Sequence, residues 1–262
     1  TSLVSPPGGT RDTSRRVERQ WGMAQSPGSS SSIAQAALVR TRESWHRLAE
    51  HVVSPARYAV TGRIGLRPAP GGFRTPAFGE DHRVVAVDGD ALVLTARGAP
   101  GRRAPIVTLR QAGAFVGIEP GAPADVYTPT TPLDLDEPMD IDQESARILA
   151  GWFALGAQAL RRFADEISED DPAEAQLWPE HFDLGITAGA VNYGASPGDE
   201  HVEVPYLYVG PHQPPPRGHP FFTQPFGAVR TMDETSSVDD TVAFFREGRR
   251  HALAIPPQRR PQ

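Results

Sequence analysis

The 262-residue chain is 39% hydrophobic and 22% charged, a balance that supports a packed core and excludes wholesale disorder. Cysteine is absent and all 26 basic residues are arginine, which removes disulfides, thiol nucleophiles, iron–sulfur (Fe-S) clusters, Schiff-base and pyridoxal-phosphate (PLP) anchors, and the P-loop lysine. The net charge of −6 argues against general nucleic-acid binding, and no apolar run approaches the ~18 residues that span a membrane; the absence of cysteine fits an intracellular, cytoplasmic protein, which is the expectation.

Residues 1–32 are rich in Ser, Gly, Pro and Arg and are expected to be disordered, with 1–22 reading as sequence upstream of a start at Met23. Order is expected from Ile33, where Ala34, Leu38, Trp45, Leu48 and Val52 recur at helical spacing until Pro55 stops the helix. From Arg57 to Arg67 the period changes to two, which predicts a half-buried strand with Tyr58, Val60, Ile64 and Leu66 on its apolar face. After a turn at Pro68–Gly72, Asp88-Gly89-Asp90 predicts a tight hairpin between 83–87 and 91–95. Short apolar runs at 106–109 and 114–118 predict one or two more strands.

A proline- and acid-rich connector covers 119–142. The strongest helix signal follows over 143–167, with Asp142 as N-cap and Trp152 in the middle of a core-facing stripe. Strands are expected at 181–187 and 201–209, joined by an Asn192–Gly198 loop, and a short strand at 226–231. Ser237 predicts the cap of a last helix, with Asp240 at the capping-box position, and 256–262 is expected to fray. No internal repeat is evident. The fold class implied is α+β: a mainly antiparallel sheet or open barrel, packed on the long helix and flanked by the terminal helices in one domain over 33–255.

The most pointed chemistry lies in Trp178-Pro-Glu-His-Phe-Asp-Leu-Gly185. On a strand, His181 and Asp183 share one face; His201 and Glu203 share a face of the next strand, opposite Val202, Val204, Tyr206 and Tyr208. On one hairpin these four form a candidate site for a divalent metal ion, or an acid–base site in which a carboxylate orients a histidine. The plain alternative is the solvated face of a hairpin. Arg57, Arg63 and Arg67, with Arg74 beyond, suit a phosphate or carboxylate, yet in a lysine-free chain arginine fills every cationic surface position. Asp134, Asp136, Asp140 and Asp142 lack the mid-loop glycine of a calcium loop and fit a helix N-terminus better. Tyr206, Tyr208, Phe221, Phe222 and Phe226 suit either a pocket for a flat ligand or core beneath a proline-rich loop.

The phrases WPEHFDLG (178–185), NYGASPGD (192–199) and PYLYVGP (205–211) resemble an uncharacterised protein family of high-GC actinobacteria. The resemblance covers about residues 40–250 and implies a bacterial cytoplasmic protein, without bringing any catalytic role. Two functions follow from the residues themselves. One is a small-molecule or metal-dependent enzyme built on the His/carboxylate group. The other is a non-enzymatic ligand-binding or protein-interaction domain with an aromatic and proline-lined pocket.

Overall fold

The computed structural model describes residues 27–255. The disorder expected at 1–26 and 256–262 lies outside them, and the first helix begins at Pro27, six residues before the apolar periodicity starts.

Helix α1 (Pro27–Leu48) does not stop before Pro55. It passes through a π-helical turn, Ala49–Val53, into α2 (Ser54–Thr61), so the first part of the strand expected at 57–67 is helical, 57–61, and strand begins only at Arg67. A proline inside an ordinary helix removes one N–H and collides with the carbonyl four residues back. The wider π turn just ahead makes room, and Pro55 becomes a first-turn residue of α2, where no N–H is needed. Gly62, in the left-handed conformation, ends the helix.

Among the described residues, ten antiparallel strands form two sheets, each in simple sequential order. The first holds β1 (Arg67–Ala69), β2 (Gly72–Arg74), β3 (Val84–Asp88), β4 (Ala91–Ala96) and β5 (Ala99–Pro105). The hairpin at Asp88–Ala91 forms as expected, with left-handed Gly89 in its turn. The runs at 106–118 do not form strands. Thr108 caps α3 (Leu109–Val116) by accepting from the Gln111 N–H at 3.2 Å, and Leu109, Ala112 and Val116 point inward at helical spacing.

The second sheet holds β6 (Gln176–Trp178), β7 (Asp183–Ala188), β8 (Val191–Ser196), β9 (Tyr206–Pro211) and β10 (Ala228–Thr231). It follows α4 (Gln143–Glu166), whose first turn is capped by Asp142 accepting from the Ser145 N–H at 2.8 Å, and precedes α5 (Val238–Leu253), capped by Ser237. The fold is therefore α+β, with two open sheets in place of one sheet or barrel. None of the described helices is long and apolar enough to cross a membrane.

The two sheets repeat one plan, which the sequence reading did not detect: a helix, a five-stranded meander, a helix. They join where Leu66 and Leu177 exchange backbone hydrogen bonds of 2.8 and 3.0 Å. Leu66-Arg-Pro68 and Leu177-Trp-Pro179 are echoes at this junction, each followed by a phenylalanine, Phe73 or Phe182. Those two rings meet edge to face at 5.3 Å in the centre of the core. The repetition is one of topology, and only these few residues betray it in the sequence.

In the second sheet, Leu184, Ile186, Tyr193, Ala195, Leu207 and Val209 share a buried face. Helix α4 lies on it closely enough that a Cβ at Gly156 would stand 2.7 Å from the Ala195 methyl. This leaves the opposite face, with Asp183, Gly185, Gly194, Ser196, Tyr206 and Tyr208, turned toward α1.

Candidate functional site

Between that open face, α1 and the 130–132 segment of the connector lies a cleft of about 1460 Å³. Its floor follows from the strand register. Gly185 pairs with Gly194, which pairs with Tyr208, so two residues without side chains lie in line beside the tyrosine. The phenol crosses this lane: a Cβ at Gly185 would stand 2.7 Å from the Tyr208 hydroxyl, and one at Gly194 would overlap the ring. At the end of the lane the Tyr208 hydroxyl donates to Asp183 Oδ2. A parallel pair stands beside it, the Tyr206 hydroxyl donating to Asp199 Oδ2, while Asp199 Oδ1 accepts from the backbone N–H groups of His201 at 2.7 Å and Val202 at 2.8 Å.

The walls come from the first half of the chain. Arg42 is buried on α1 and donates from Nη1 to the Glu203 carbonyl at 3.0 Å, tying the loop before β9 to the helix. One turn on, His46 stacks on Phe182, with ring centroids 5.3 Å apart and planes 11° from parallel, and its Nε2 lies 2.9 Å from the Pro179 carbonyl. Glu50, fully buried in the π turn, accepts from the backbone N–H groups of Thr130 at 2.9 Å and Thr131 at 2.8 Å. The Thr131 hydroxyl donates to the same carboxyl, and these bonds pin the connector against the mouth of the cleft.

All four residues singled out in the sequence line this cleft, but not on one hairpin as expected. His181 is an exposed residue of the β6–β7 turn, and His201 and Glu203 are exposed in the loop before β9. Strand β8 separates the two groups, because most of the loop expected at 192–198 belongs to the strand Val191–Ser196. Only Asp183 reaches the floor. Among the described residues, no three His, Asp or Glu side chains are grouped so as to hold a metal ion. Tyr206 and Tyr208 face the cleft and not the core, correcting the expected polarity of their strand. The other aromatics divide: Phe226 rims the cleft, whereas Phe221 stacks on His251 at 4.7 Å beside buried Phe222.

The electrostatics of the floor are set by burial. Exclusion from water pushes the Asp183 carboxyl above the usual carboxylate range, against the opposing pull of the Tyr208 hydrogen bond and of His181. Glu180 is raised for the same reason, with Asp183 and Glu50 adding to the effect. Burial, then Asp183, raises Tyr208 well above an ordinary phenol. Two carboxyl oxygens, Asp183 Oδ1 and Glu180 Oε2, have neither solvent contact nor a hydrogen-bond partner. Such acceptors are rare and costly in folded proteins.

Burial also lowers the His46 pKa from 6.5 to about 4, outweighing Glu50 and the Pro179 carbonyl. A histidine whose folded pKa is depressed stabilises the fold fully above pH 6.5 and progressively less as pH falls toward 4. The integrated loss is about 3 kcal/mol. His46→Phe keeps an aromatic ring on Phe182 and removes the titration. The stability of the native chain minus that of the variant, from urea melts at several pH values, should therefore fall by about this much between pH 7 and 4. A pH-independent difference would show that His46 does not titrate abnormally.

Comparison with family models, with characterised proteins and with solved structures gave no match.

Proposed function

We propose that the cleft is a small-molecule site whose working group is Asp183, equipped for proton transfer to and from a bound ligand rich in N–H or O–H donors. The observation that carries this reading is the Asp183 carboxyl itself. One oxygen is fixed by Tyr208 and the other is buried without a partner, in a residue that lines a cleft large enough for a metabolite. A group so placed has its orientation preset and its acidity moved toward neutrality, the two properties an acid–base residue needs. Glu180 has a second unpaired acceptor, and carboxyl side chains outnumber the arginines Arg40, Arg42 and Arg47 among the lining residues, which favours amines and amidines over acids.

The sign of the Asp183 effect makes the reading testable without knowing the ligand. A carboxyl with a raised folded pKa contributes most to stability below its unfolded pKa of about 4, and that contribution is lost as pH rises through the folded value. Asp183→Asn keeps an acceptor for Tyr208 and abolishes the charge. It should exceed the native chain in stability at pH 7, with the two converging near pH 4, as when a strained functional group is removed. A thermal-shift screen of small amines, amidines and polyols should then find compounds that stabilise the native chain and not the variant. If Asp183→Asn is the less stable protein at pH 7 and every stabilising compound acts on both equally, Asp183 is a structural residue and the reading fails.

A further inference from the structure

A second cavity, of about 520 Å³, opens where α2 ends and the chain turns toward β1. Three arginines line it, all from the stretch that the sequence marks as a basic face: Arg57, Arg63 and Arg67. They reach it for a different reason than strand alternation. Arg57 projects from within α2, Arg63 follows the left-handed Gly62 that ends the helix, and Arg67 opens β1. Arg74, one strand further on, is exposed and takes no part.

Arg57 is an unusual residue for a surface arginine. It is only 8% exposed, its Nη1 donates to the Gly65 carbonyl at 2.6 Å, and its Nε has neither solvent contact nor a partner. Burial and then the charges of Arg63 and Arg67 destabilise its cationic form, so the two neighbours direct their field at it. Opposing charge is scarce. Arg67 is paired with Glu174, and that carboxylate stands alone among the lining residues against three guanidiniums, leaving an excess of two positive charges. Arg57 and Arg67 also donate to the Gly65 and Ala175 carbonyls, but like charges held together cost stability unless an anion joins them.

We infer that this cavity binds the phosphate group of a small molecule. Two uncompensated charges match a phosphate dianion, whereas a carboxylate would leave one unmatched. Guanidinium groups offer paired N–H donors shaped for phosphate oxygens. The net charge of −6 disfavours a nucleic-acid polyanion. Trp178 and Gln176 also line the cavity, which suits a phosphate ester carrying an organic body. The inference does not depend on the role of Asp183, which lies in the other cavity.

The test is a titration of the full chain with inorganic phosphate, phenyl phosphate and acetate, each at ionic strength matched with sodium chloride, followed by calorimetry and thermal shift. Phosphate and phenyl phosphate should bind in the millimolar range or tighter and raise the melting temperature, with acetate weaker. Arg57→Gln removes the buried guanidinium and risks the fold, so Arg63→Glu is the primary variant. Arg63 is exposed and its side chain holds no hydrogen bond among the described residues, so the variant should melt like the native chain while losing about tenfold or more in phosphate affinity. A phosphate response no larger than that to chloride, or equal in Arg63→Glu, would overturn the site. A response to acetate equal to that for phosphate would overturn its assignment to phosphate.

Discussion

Replacing Trp152 by alanine is expected to lower stability by about 3–5 kcal/mol, the cost of deleting a large aromatic from a packed core. Trp152 sits mid-helix on α4, 4% exposed, among Leu149, Phe153 and Gly156 on the face that meets the second sheet. Its indole Nε1 also donates to the Ser196 carbonyl at 2.7 Å. That carbonyl ends β8, at the point where the chain leaves the sheet for the loop carrying Asp199 and His201. The residue thus joins two tasks, filling the core and fixing where the loop begins. Trp152→Phe separates them: it retains most of the packing and loses the donor, and should cost about 1–2 kcal/mol for the orphaned carbonyl. Urea denaturation with unchanged m-values would report both losses as stability alone. An alanine variant that melts like the native chain would mean that α4 does not carry this core.

The same helix shows how far the fold can be read from residues. Helices α4 and α5 and the β3–β4 hairpin were legible because each joins a strong period to local punctuation: Asp142 and Ser237 as caps, Gly89 in the turn. The errors fall where a local rule met a tertiary solution. Pro55 is a helix breaker, until a π turn two residues earlier relieves it. Leu109–Val116 is too short for periodicity to separate helix from strand, and the cap at Thr108 decided it. Asn192–Ser196 looks like a loop because its glycine and polar residues are turn formers. It is a strand because Gly194 is the only residue type over which Tyr208 can lie.

The site was legible in one residue and hidden in its setting. Alternation put Asp183 on a polar face, which is where it stands. Nothing local reveals that Arg42, His46 and Glu50, more than a hundred residues earlier, lie opposite, or that two tyrosines serve as hydroxyl donors and not as core. Arg42, His46 and Glu50 do repeat at four-residue spacing on the inner side of α1 and its π turn. A stripe of inward-facing ionisable side chains at that spacing is a signal in its own right, since such groups enter the interior only with partners.

Glu50 is the member of that stripe whose loss should be felt most. Its carboxyl is 0% exposed and accepts hydrogen bonds at both oxygens, from two backbone N–H groups and one hydroxyl of Thr130 and Thr131. Hydrogen bonds to a charged acceptor are worth about 1.5–3 kcal/mol each, so removing the set outweighs the relief of desolvating one carboxylate. Glu50→Ala should therefore cost about 3–4 kcal/mol. The loss should be local in character, because the connector around 130–131 belongs to no strand or helix and has few other attachments: the Thr130 hydroxyl to the Glu180 carbonyl and beside His46 Nε2 at 3.4 Å, and the imidazole of His51 against Thr131. Hydrogen exchange should show the Thr130 and Thr131 amides losing protection far beyond the global change, while amides of β7 and β8 follow global stability alone. Since these residues wall the cleft that holds Asp183, any ligand stabilisation found for the native chain should weaken in Glu50→Ala with the floor intact. A variant that loses protection evenly across the chain would place Glu50 in the core's stability and give the connector no part in shaping the site.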